Sequence, residues 1–279
     1  MGLGLPALAC GQQGRPTTVD PSTLRVASQT VLSDEVLWDL GPPAHDVVVA
    51  VSAMADDARY CRVAQQWPAS LPRAAGTSEA LLALAPNLVI VASFTAAETR
   101  RLLEQAGLRT VVLETFDGFA DYRANVRAIA GAVECSEAGE RLVADFDARL
   151  AALTMTAEVG PRVVSWNEGS VPGAGTTFDD AATAAGYRNV PTLEGRRGHL
   201  QIGVEQLLAW DPEVIVVPCG DTDCSRAAAT IAARPGIRAT RAAREGAVIG
   251  IPSRSLYSTG AGMLDVVQRL REARPKDSP

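Results

Sequence analysis

Short, continuous runs of branched apolar residues punctuate this chain: "HDVVVAVS" at 45–52, "NLVIVAS" at 87–93, "RTVVLET" at 109–115, "PRVVSW" at 161–166, "EVIVVP" at 213–218 and "GAVIGIP" at 246–252. They do not alternate with polar residues, which is the pattern of strands covered on both faces, as in a parallel sheet. Between them the spacing turns helical. "SDEVLWDLG" starts with Ser-Asp and stops at Gly, and "TAAETRRLLEQAGL" predicts an amphipathic helix with Thr95 as its N-cap. Strands alternating with helices predict α/β layers with right-handed crossovers.

One helical stretch has no strand immediately before it. From Ser136 to Thr156, "SEAGERLVADFDARLAALTMT" carries no strong breaker after Gly139, and Leu142, Val143, Phe146, Leu150 and Leu153 share one face. A helix of about twenty residues spans roughly 30 Å. It lies near the middle of the chain, so the pattern divides into a leading segment (1–23), an N-terminal lobe (24–135), a linker helix (136–156) and a C-terminal lobe (157–279).

The two lobes share a phrase. "SEALLALAPNLVIVA" at 78–92 and "VEQLLAWDPEVIVVP" at 204–218 each have a Glu at a helix start, a Leu-Leu pair, a Pro, then a buried strand. Pro86 and Pro212 cannot continue a helix, and they bias the residue before them towards extended geometry. The repeat predicts an internal duplication of architecture.

Composition narrows the classes. Apolar residues make up 47% of the chain, enough for a sizeable core, and the net charge is −6. No basic stripe is present, which argues against a nucleic-acid partner. No later run reaches the ~18 apolar residues of a membrane span. The start, "MGLGLPALACG", is apolar and small and ends in Cys10. It resembles the tail of a bacterial lipoprotein signal, with Ala7 where Leu is usual, and Cys10 would then carry the lipid. The polar, Gly- and Pro-containing 11–23 would serve as a tether.

Catalytic motifs are scarce. There is no GxSxG elbow, no HExxH and no P-loop. "GSVPGAGTT" at 169–177 has Gly-x-Gly but not GxGxxG. Ser165 and Asp179 would need His45 or His199 to make a triad, and no spacing supports that. Asp56-Asp57 and Asp179-Asp180 are sequence neighbours of the kind found at helix caps and solvated turns. Two His far apart do not supply a metal-ligand set, and His199, in "EGRRGHLQ", reads as an exposed loop residue. Trp38 and Trp210, at helix ends, read as core. Cys219 and Cys224, in "PCGDTDCS", could form a small-loop disulfide; otherwise they join Cys61 and Cys135 as free thiols.

Five segments in order carry a family resemblance: "RVASQTVLSDEVLWDLG", "TSEALLALAPNLVIVAS", "TFDDAATAAGYRNV", "GVEQLLAWDPEVIVV" and "RPGIRATRAAREGAVIGIP". Over about residues 24–275 the chain resembles the periplasmic substrate-binding proteins of ABC importers for iron–siderophore complexes, haem and vitamin B12. The resemblance implies two Rossmann-like α/β lobes with parallel sheets, joined by a single long helix. It further implies a metal chelate or corrinoid bound in the cleft, no enzymatic activity, no cofactor, and delivery to an ABC permease with its ATPase. The location implied is periplasmic or cell-surface, with contact to a membrane only through the anchor. Glu79 and Glu205 match the surface glutamates that dock on permease arginines in that family; such rim charges set encounter and register. A metal-ion binding protein of the same architecture, or a two-lobed α/β enzyme such as a glycosyltransferase, is the alternative.

In such a fold the ligand meets the loops that follow the strands. The candidates are Tyr60 and Trp67 after the second strand, Phe94 after the third and Phe116 after the fourth. The C-terminal lobe offers Trp166, Asp221, Arg254 and Tyr257. A flat macrocycle would use the aromatic and apolar groups, and an anionic ferric siderophore would use Arg254 and Tyr257.

Overall fold

The computed structural model describes residues 23–74, 78–155, 159–220 and 223–274. Five strands, β1 (Val26–Ser28), β2 (Val48–Ser52), β3 (Arg73–Ala74), β4 (Leu88–Ala92) and β5 (Arg109–Leu113), form a parallel sheet in the order β3-β2-β1-β4-β5. The second half contributes β6 (Arg162–Ser165), β7 (Ser170–Pro172), β8 (Arg188–Asn189), β9 (His199–Gln201), β10 (Val214–Cys219) and β11 (Val248–Pro252). Of these, β11-β10-β6-β8 form a second parallel sheet, and β7 and β9 pair antiparallel beside it. The continuous apolar runs became β2, β4, β5, β6, β10 and β11. The strands without such a signal, β1, β3 and β7 to β9, are two or three residues long.

Helix starts differ from the sequence reading in two places. The first helix spans Val31–Asp39 and is capped by Thr30, not by the Ser33-Asp34 pair: Thr30 Oγ1 accepts the Ser33 N–H, and the Ser33 hydroxyl reaches back to Thr30. The helix Ala97–Gln105 starts after Ala96 without a side-chain cap, because the Thr95 hydroxyl instead accepts the Ala92 N–H.

The linker helix runs Ser136–Leu153, three residues shorter than predicted. Thr154 ends it: its backbone turns extended while its N–H and hydroxyl both donate to the Leu150 carbonyl. Val143 and Phe146 are buried, and Leu142, Leu150 and Leu153 pack against the same core. Gly139 lets this helix approach the helix Phe119–Ala132, since a Cβ there would fall 2.4 Å from that of Ala130.

The repeated phrase is repeated in conformation. The helices Ser78–Ala83 and Val204–Trp210 each lead through a buried Pro into β4 and β10. The residue before each Pro is left-handed rather than extended, with φ 47° at Ala85 and 39° at Asp211. Each helix is thereby closed within one or two residues. An arginine stabilises each turn: Arg25 donates to the Leu84 and Ala85 carbonyls at 2.8 Å, and Arg162 to those of Trp210 and Asp211 at 2.9 and 2.7 Å. Arg25 immediately precedes β1 and Arg162 opens β6, the strands that pair with those after the Pro.

One apolar cluster runs through both halves, from Val26, Leu88 and Ile90 through Phe146 to Val163, Val216 and Met263. Polar ties cross the same seam. Asp180, on the helix Thr177–Ala184, accepts the Phe119 N–H at 2.8 Å and so caps a helix of the other lobe.

Candidate functional site

Loops that follow the parallel strands of both sheets enclose a cleft. Two cavities of about 580 and 360 Å³ meet there, both lined by Phe116, which follows β5, and Thr259, beyond β11. The larger belongs mostly to the N-terminal lobe and is walled by Val31, Leu32, Met54 and Phe94. The smaller is lined by Ser165, Asn167, His199 and Tyr257 of the other lobe.

Three of the six expected aromatics, Phe94, Phe116 and Tyr257, line these cavities, and Tyr60 lies outside both linings. Phe94 is 79% exposed, an unusual state for so apolar a side chain. It lies against Phe116 with ring centres 5.6 Å apart. Tyr60 is 39% exposed on the loop after β2, with the Arg59 guanidinium over its ring at 5.5 Å. Tyr257, on the opposite lobe, is 42% exposed. Burial of part of the ring pushes the Tyr257 phenol above its ordinary value, and the Tyr60 phenol adds to the shift, so the two groups lie within electrostatic reach.

Other expected contacts fall elsewhere. Trp67 is buried in the N-terminal core, edge-on to Trp38 and His45, because the loop folds back onto the first helix instead of into the cleft. Trp166 is buried and floors an adjoining cavity of about 470 Å³ with Val217, Pro218 and Arg226; Asn167 lines both this and the cleft. Arg254, partly buried on the short helix Ser253–Leu256, lines neither cleft cavity. His199 sits on β9 rather than in a loop and faces the cleft. Met54 and His199 were not expected there; the short β7–β9 pair has too little apolar pattern to reveal itself. Glu79 and Glu205 are exposed in the first turns of their helices. Cys10 and Asp221 lie outside the described residues.

Cys219 and Cys224 form a disulfide, joining the end of β10 to the helix Cys224–Ala232. Cys61 and Cys135 are free, and burial pushes the Cys61 thiol up to about 12. Of the triad candidates, Ser165 and His199 line the same cavity, whereas Asp179 accepts from Asn189 and Thr192 and His45 bonds the Trp38 carbonyl. Asp56 and Asp57 pair with Arg73 and Arg59. Among the described residues no group of three or more His, Cys, Asp or Glu could hold a metal ion. None of the described helices is long and apolar enough to cross a membrane.

Beneath the cleft floor two acids are buried side by side. Asp34 accepts from the hydroxyls of Ser28 and Ser52 and from the Ser52 N–H; burial nevertheless raises it to about 6. Glu35 is raised to about 7, again by burial first.

Two α/β lobes, a linking helix and a cleft between strand ends define a bilobal solute-binding architecture. The sequence profile of the periplasmic binding protein family matches residues 26–255, and the chain belongs to that family. Its members bind small solutes and work with ABC importers. No curated protein matches the chain in sequence. Among solved structures, it is similar to the apo form of the periplasmic heme-binding protein RhuT from Roseiflexus sp. RS-1, at 23% identity and TM-score 0.72, covering 90% of this chain and 99% of that one. A periplasmic heme-binding protein from Pseudomonas aeruginosa is 25% identical, with TM-score 0.71 and coverage of 91% and 94%. An ABC-type Fe3+-hydroxamate transport protein from Saccharomonospora viridis is 18% identical, with TM-score 0.69 and coverage of 89% and 92%.

Proposed function

We propose that this protein captures a flat ferric tetrapyrrole of the haem type in the cleft and delivers it to an ABC permease, performing no chemistry on it. The observation that carries this reading is an exposed phenol on each lobe, Tyr60 and Tyr257, within electrostatic reach of one another, with Tyr257 lining a cleft whose apolar wall holds Phe94 and Phe116. Phenolate oxygen is a hard ligand suited to ferric iron, and tyrosine serves as the axial ligand of haem in some proteins. Phe94, Phe116 and Met54 offer the apolar faces against which a macrocycle would lie. His199, on the C-terminal side, is a second donor within the same cleft.

Among the described residues, neither cleft cavity is lined by Arg or Lys, which disfavours a highly anionic siderophore such as a ferric catecholate. The similarity to haem-binding structures supports the same choice. Glu79 and Glu205, one per lobe, would dock on the two halves of the permease, and a lipid on Cys10 would keep the protein at the membrane. The test is tryptophan fluorescence of the purified protein titrated with haemin, cyanocobalamin and a ferric hydroxamate, corrected for ligand absorbance. Saturable quenching by haemin at the lowest concentration is expected. Tighter binding of cobalamin or hydroxamate would overturn the choice of cargo.

A further inference from the structure

Glu35 does something the cleft itself does not explain. It lies on the helix Val31–Asp39 and is only 4% exposed. One of its oxygens accepts the backbone N–H of Arg62 at 2.7 Å, two residues beyond Tyr60. The other lies against Gly260, three residues beyond Tyr257: a Cβ built there would fall 2.8 Å from it, so any larger residue would push the carboxyl aside. A single buried carboxyl therefore touches both segments that carry the cleft phenols, one from each lobe.

We propose that Glu35 is a positioning residue for the cargo, tying the Tyr60 loop to the Tyr257 segment and so setting how the two phenols face the iron. The inference rests on the reading of those phenols as iron ligands.

Its charge state should be visible in binding. The groups that face it are Asp34 and Asp39 on its own helix, Cys61 and Arg62 on the Tyr60 loop, and Tyr122 on the helix Phe119–Ala132. Arg62 is shared with Asp39. The segment Ser258–Ala261 brings no ionisable side chain. Burial raises the carboxyl to about 7, with Asp39 and Asp34 adding to the rise, while the Arg62 N–H and guanidinium hold it down. Above that value Glu35 is a charged acceptor and grips the Arg62 N–H more firmly; below it, the neutral acid holds the loop less tightly.

The experiment is a haemin titration of the full chain and its Glu35→Gln variant between pH 5.5 and 8.5. Glutamine keeps an acceptor but never ionises. Proton release by the phenols affects both proteins and cancels in the ratio of their affinities. That ratio should be near one at low pH, rise through a single step centred at about 7, and reach about tenfold in favour of the parent protein. Gly260→Ala, which crowds the carboxyl without altering its charge, should weaken haemin binding about tenfold with the pH step retained. A ratio independent of pH, or Gly260→Ala binding haemin like the parent, overturns the role of Glu35 while leaving the cargo intact. Failure of the parent protein to bind haemin overturns both readings.

Discussion

Asp34 and Glu35 are neighbours on one helix, both buried and both raised, from ordinary values of 3.8 and 4.5 to about 6 and about 7. Such acids resist ionising in the folded state more than in the unfolded chain. Their stabilisation is complete below the unfolded values and is lost as pH rises through the folded ones, each shift amounting to on the order of 3 kcal/mol. The melting temperature should therefore fall by several degrees between pH 5 and pH 8, and Asp34→Asn should flatten part of that slope. A melting temperature that is level or rising across this window would show that the two carboxyls are not held as described. Neither burial was legible in the sequence, where Ser33-Asp34 read as a helix start; nothing local marks a carboxyl that will be covered by a distant loop. The placement of Phe94, Phe116 and Tyr257 at the cleft was legible, because a large ring just beyond a buried strand end has only a loop to occupy. Trp67 had the same signal, but its loop folds back onto Trp38 and His45.

At the scale of elements, the two lobes solve one problem twice. A helix must stop, reverse and enter a buried strand, which leaves its last carbonyls in need of donors. Arg25 and Arg162 supply them, and the chain N–H of each is accepted in turn by Asn87 or Glu213, the residue after the Pro. Arg162→Ala removes two charge-assisted bonds from a partly buried site, so it should cost roughly 1–3 kcal/mol in urea unfolding. Arg25→Ala should cost a similar amount. A change in neither would mean that the turns hold themselves. The helix–Pro–strand phrase was readable because its parts are contiguous. The arginines were not, since they stand far away in the chain and at different separations in the two lobes. The six longer strands announced themselves through unbroken apolar runs, whereas β1, β3 and β7 to β9 are too short to display a period.

At the scale of the whole molecule, the lobes are coupled rather than hinged freely. They share a continuous apolar cluster with the linker helix, and Asp180 of one caps a helix of the other. Cargo capture should therefore change the overall dimensions little, and small-angle scattering of the free and haemin-loaded protein should give nearly superimposable profiles; a marked contraction would contradict the coupling. The proposed permease docking belongs to the outer surface, apart from the cleft. Reversing the charge of both Glu79 and Glu205 should abolish uptake in cells and leave haemin affinity unchanged, and lost affinity would refute the docking assignment. The central claim is that ferric tetrapyrrole sits between Tyr60 and Tyr257, and the most direct measurement is the absorption spectrum of the haemin complex in the parent protein and in the Tyr60→Phe, Tyr257→Phe and double variants. A phenolate-to-iron charge-transfer band is expected in the parent, altered by either single change and absent from the double variant. An unchanged spectrum in the double variant would contradict it.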